Sequence, residues 1–107
     1  MENFEIKVPT RLEDGEVAQR IEAALSRLGY RIMLRNTLKK YPGSHHWHLH
    51  QQGRQGTLDL TWWPARRRLW LSSRSGRTTA SLTAQIPALI HLLETGLVSS
   101  QEEHLQE

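Results

Sequence analysis

Four histidines fall within six residues in His45-His46-Trp47-His48-Leu49-His50. In an extended segment alternate side chains share a face, so His46, His48 and His50 form one column and His45 looks the other way. An imidazole can ligate a metal ion, and its charge changes near neutral pH. Asp59 is the only carboxylate between Ala24 and Leu93. With His48 and His50 it would complete a two-histidine, one-carboxylate set suited to iron or another divalent ion. Against that set stand the lack of a second carboxylate to act as general base and a strongly positive neighbourhood. A metal at His48, His50 and Asp59 is therefore the minor alternative, no cofactor is expected, and a binding protein is preferred to an enzyme.

The second group of chemically capable residues is aromatic and cationic. The net charge of +3 over 107 residues conceals a segregation: residues 1–23 carry net −3, residues 24–93 net +10 and residues 94–107 net −4. A middle section so poor in carboxylates is a candidate anion-binding surface, unless the acidic ends lie against it. It also holds all four tryptophans. Rings interleaved with Arg and Lys suit single-stranded nucleic acid, whose bases stack on aromatics while its phosphates contact cations. The absence of cysteine removes disulfides, thiolate zinc sites and cysteine nucleophiles. No apolar run approaches the ~18 residues of a membrane span, and the polar start Met1-Glu2-Asn3 does not read as a signal peptide, so a cytoplasmic setting is expected.

The elements that must position these residues follow from periodicity. Phe4, Ile6 and Val8 alternate with charged residues, the pattern of a half-buried strand. Val17, Ile21, Ala24, Leu25 and Leu28 make one helical stripe, begun at Thr10 with Glu13 or at Asp14 and ended at Gly29. Leu82, Ile86, Leu89, Ile90 and Leu93 make a second stripe closed by Gly96, with Pro87 limiting its start or kinking it. Between them, Tyr41-Pro42-Gly43-Ser44, Gly53-Arg54-Gln55-Gly56 and Pro64-Ala65-Arg66-Arg67 read as three hairpin turns. The order is strand, helix, four-stranded antiparallel meander, helix. Two helices should cover one face of a five-stranded, mainly antiparallel sheet: an α+β domain over residues 1–97, followed by a polar acidic tail or frayed helical extension over 98–107. This order resembles, in topology alone, one half of the TATA-box-binding protein fold. The first strand has two possible places, beside the second strand or across at the fifth.

Four-residue turns pair Lys40 with His45, Gln52 with Thr57 and Trp63 with Arg68. That register puts Leu34, Asn36, Leu38, Trp47, Leu49, Leu58, Leu60, Trp62, Leu69 and Leu71 on the helix-covered face, where only Asn36 is out of character. The opposite, open face then displays Met33, Arg35, Thr37 and Lys39 beside His46, His48 and His50, with Asp59, Thr61, Trp63, Arg68, Trp70 and Arg74 beyond.

Such a face is merely solvated, or it is buried in a homodimer or against a protein partner, or it binds nucleic acid. The favoured ligand is single-stranded nucleic acid. Trp63, Trp70, His46 and His48 would form the stacking platform, while Arg35, Lys39, Arg66, Arg67, Arg68 and Arg74 would contact phosphates. The alternative is a homo-oligomeric or adaptor protein that uses the same face as its interface.

Overall fold

The computed structural model describes residues 2–74 and 76–105. Its elements are β1 (Glu2–Ile6), α1 (Asp14–Arg27), β2 (Tyr30–Asn36), β3 (His45–Gln51), β4 (Leu58–Trp63), β5 (Arg68–Ser73), α2 (Ala80–Thr83) and α3 (Ile86–Leu105). The five strands form one antiparallel sheet in the order β1-β5-β4-β3-β2. The fold is the expected α+β sandwich, and β1 takes the place beside β5. No helix among the described residues is long and apolar enough to cross a membrane.

Local chemistry explains the helix limits. Glu16 accepts a hydrogen bond from the Glu13 N–H at 3.3 Å, closing the start of α1, and Gly29 at φ 81° ends it. The expected second helix is two: the Thr79 hydroxyl caps the single turn of α2, and Pro87 is confined to the opening turn of α3, where its missing N–H leaves no helical bond unmade. Gly96 does not end α3, which runs on to Leu105. It lies buried where α3 crosses α1, and a Cβ built there would stand 3.4 Å from Ala24 Cβ, an ordinary contact.

The core between sheet and helices contains Val17, Ile21 and Leu25 of α1, Leu89, Leu93 and Leu97 of α3, and Trp47, Leu49, Leu58, Leu60, Trp62, Leu69 and Leu71 of the sheet. Both core indoles keep a polar partner in the helix layer. Trp47 Nε1 donates to Glu22 at 2.9 Å, and Trp62 Nε1 donates to the Asp14 carbonyl at 3.2 Å. Arg67, in the left-handed conformation at φ 48°, packs its guanidinium over the Trp62 ring and donates to the Pro9 carbonyl and to Asp14. The turn between β4 and β5 thereby fastens the entry of α1 to the sheet.

The three hairpins meet their expected registers unequally. Trp63 does pair with Arg68. The β3–β4 ladder is slipped by two residues, pairing Trp47 with Leu60 and His48 with Asp59, which changes neighbours while preserving faces. The β2–β3 ladder differs more: Arg35 pairs with Trp47, Asn36 with His46, and a bulge lies between Ile32 and Leu34. The assumed four-residue turn is part of a longer loop over residues 37–44, and the odd slip inverts that part of β2. Asn36 and Leu34 look to the open side, whereas Arg35 faces the helix layer and pairs with Glu22. Arg35 is thus not on the face where phosphate contact was expected.

Replacing Trp62 by Ala should cost ~3–5 kcal/mol in denaturant unfolding, because it empties the middle of the core. Gly96→Ala should instead stabilise by roughly 0.5–1 kcal/mol, since the site has room for the methyl and helical glycine carries an entropic cost.

Candidate functional site

The open face is not an exposed platform. The loop over residues 37–44 folds across it, tightened by the Leu38 N–H donating to Ser44 Oγ at 3.1 Å and by Ser44 N–H donating to the Tyr41 carbonyl at 3.0 Å. Tyr41 sets its ring edge-to-face against both Trp63 and Trp70, with centroids 4.9 and 5.0 Å away. Trp63 Nε1 donates to the Pro42 carbonyl at 3.1 Å. Trp70, expected to be an accessible stacking ring, is only 5% exposed, with Tyr41 on one side and the Arg68 guanidinium 4.7 Å from its centroid. Trp63 remains half-buried.

Between loop and sheet lies a cleft of about 390 Å³ lined by Leu38, Lys39, Lys40 and Tyr41 of the loop and by His46, Asp59, Thr61, Trp70, Ser72, Arg74 and Asn3 of the sheet side. Its floor is a connected polar group. His46 Nδ1 is hydrogen-bonded with Thr61 Oγ1 at 2.8 Å, and the His46 and His48 rings meet edge-to-face at 4.8 Å. His48 Nδ1 lies 2.9 Å from Asp59 Oδ1; a carboxylate offers no hydrogen, so the imidazole donates. Arg74 Nε stands 3.4 Å from Asp59 Oδ2, in ion-pair range but outside hydrogen-bond geometry, and is buried without an acceptor. Ser72 Oγ donates to Asn3 Oδ1 at 2.8 Å, bringing β1 to the edge of the group.

Burial pushes the His46 imidazole below the ordinary histidine range; Asp59 draws it partly back, while His48 and Arg74 add to the lowering. His46 is therefore a neutral group near pH 7.

The structure brings together His46, His48, Trp70, Arg74 and Lys39 of the expected binding residues. Others are drawn elsewhere by carboxylates from the acidic N-terminal section: Arg35 pairs with Glu22, Arg67 with Asp14 at 2.9 Å and Arg68 with Glu5 at 2.7 Å. Arg66 sits over the Trp63 ring at 6.0 Å. The expected metal set also changes. Asp59 faces His48, so the residues whose ligand atoms lie within 4.8 Å of one another are His46, His48 and Asp59. His50 is outside that group, with its Nδ1 at 3.3 Å from the Gly56 carbonyl. Tyr41 and Thr61 were not among the expected site residues. Tyr41 opens what reads locally as a turn, and only its long-range ring contacts reveal the role; Thr61 sits opposite His46, which the corrected register makes plain.

Comparison of the chain with family models, curated proteins and solved structures finds no match.

On lowering the pH, the unfolded chain takes up the His46 proton first, at about 6.5. The native state should therefore keep this contribution above that pH and lose it as the pH falls towards the lower native value. Nuclear magnetic resonance should show His46 titrating below ~6.5, and His46→Gln should flatten the corresponding part of a stability–pH curve. A native value at or above that of free histidine would contradict the assignment.

Proposed function

We propose that the protein is a non-enzymatic binding module that takes single-stranded nucleic acid through one nucleotide held in the cleft, not through a row of bases on an open sheet. The observation that carries this reading is an aromatic wall, Tyr41 and Trp70, sharing one cleft with Lys39, Lys40 and Arg74. The volume falls within the ~300–1,000 Å³ of small-ligand pockets. A base gains ring contact there, and its phosphates meet the loop lysines at the rim. Among the described residues no carboxylate lies within ion-pair distance of Lys39 or Lys40, whereas Arg35, Arg67 and Arg68 are each engaged. The cleft lysines, of which Lys39 was an expected phosphate contact, and the paired arginines are thus two groups that salt can tell apart.

The protein-interface alternative was expected on the open face; the observation that favours an interface lies instead on the sheet edge. Ile32, Met33 and Leu34, at 37%, 57% and 51% exposed, lie consecutively on edge strand β2. A partner engaging them would leave the cleft free.

Tryptophan fluorescence titrated with mononucleotides and with oligonucleotides of increasing length should show quenching whose affinity levels off after a few nucleotides. Replacing Lys39 and Lys40 together by Ala should reduce the salt slope by about 1.4, at roughly 0.7 per phosphate contact on a single strand, while Arg35→Ala leaves it unchanged. Affinity rising steadily with length would restore the open-platform picture. No quenching by any oligonucleotide, with a concentration-dependent molecular mass abolished by Met33→Lys, would favour the interface.

A further inference from the structure

We propose that His46, His48 and Asp59 form a binding site for a single divalent first-row transition ion at the floor of the cleft. The proposal stands apart from the nucleotide reading, because it follows from the strand register and the polar contacts. His48 and Asp59 are directly opposed on β3 and β4, and His46 is the next residue along β3 on the same face. One ligand atom from each lies within 4.8 Å of the others. The 2.9 Å between His48 Nδ1 and Asp59 Oδ1 lies within the ~2.8–3.1 Å that separates neighbouring ligands around an octahedral ion with bonds of ~2.0–2.2 Å. An ion there replaces the hydrogen the pair shares, and His46 closes in by rotation of its ring.

The surroundings fit that use. Nitrogen and carboxylate donors without sulfur suit iron(II), cobalt(II), nickel(II) or zinc(II) better than the harder calcium or magnesium. His46 and Asp59 are each 4% exposed, so an ion held between them is shielded from bulk water. Thr61 Oγ1, bonded to His46, supplies the outer contact that orients a ligating imidazole. His46 and Asp59 line the cleft, so water or an anionic oxygen can reach an ion held by them. The positive charge of Lys39, Lys40 and Arg74 opposes an ion there, Arg74 most directly: its guanidinium faces Asp59 Oδ2, yet its Nε has no hydrogen bond there to lose. The ion therefore displaces the hydrogen shared by His48 and Asp59, while against Arg74 it competes only with a loose charge contact.

The test uses the untagged full chain. Calorimetric titration with zinc(II) alone should give one ion per chain, and cobalt(II) should broaden the resonances of His46, His48 and Thr61 before those of other residues. Asp59→Asn and His46→Gln should each weaken zinc binding by about tenfold or more, whereas His50→Gln, on the same face outside the group, should change it less than about twofold. Arg74→Gln should tighten binding on the order of tenfold by removing the competing cation. The cobalt broadening needs no variant, so it decides the matter even where a substitution unfolds the chain. No stoichiometric zinc uptake, or broadening centred on another histidine, would overturn the site.

Discussion

A carboxylate at 4% exposure has to be answered by charge or hydrogen bonds, and much of the sheet's open side is arranged around that need at Asp59. His48 answers one oxygen from β3, and Arg74, just past the end of β5, stands near the other. His46 and Thr61 continue the polar group one ladder step further, and Ser72 joins it to Asn3. The Tyr41 loop then closes the group off from one side. A carboxylate so placed keeps its neighbours oriented, because His48 and Arg74 are both drawn to it.

Parity along the strands was legible; pairing between them was less so. That His46, His48 and His50 share the open face, and that Trp47 and Trp62 belong to the core, followed from alternation and held. Which histidine meets Asp59 depended on two residues of register. A slip by two leaves every side chain on its face, so the apolar pattern cannot detect it, yet it moves the partner of Asp59 from His50 to His48. In β2 the polar Asn36 among supposed core residues was the visible symptom of a wrong pairing. Its cause, the bulge near Met33 together with an eight-residue loop, has no local signature that distinguishes it from a short turn. The burial of Trp70 was hidden for a similar reason, because Tyr41 is far from it in sequence.

The segregated charge resolves in the same way. Glu5, Asp14 and Glu22 reach Arg68, Arg67 and Arg35, so part of the positive middle section is spent on fastening β1 and α1 to the sheet. One member of each pair is more than half exposed, so each contributes little by itself. Their effect is to decide where positive charge is left over. Net charge by segment shows the excess, but only the fold places Lys39 and Lys40 on the cleft and Arg74 beside Asp59.

The bulge in β2 also bears on how this chain behaves among many copies of itself. An outer strand with three consecutive exposed apolar side chains is ordinarily a template for sheet-to-sheet growth. Here the interruption between Ile32 and Leu34 puts the backbone groups on the two halves of the strand out of step. An incoming flat strand can match one half or the other but not the full length of the edge. Arg31 flanks the apolar stretch and sets a like charge against a second copy of the edge. The irregularity that spoils the simple alternation of β2 is thus also its protection against fibrillar stacking, and whatever settles on Ile32, Met33 and Leu34 must do so by side-chain packing.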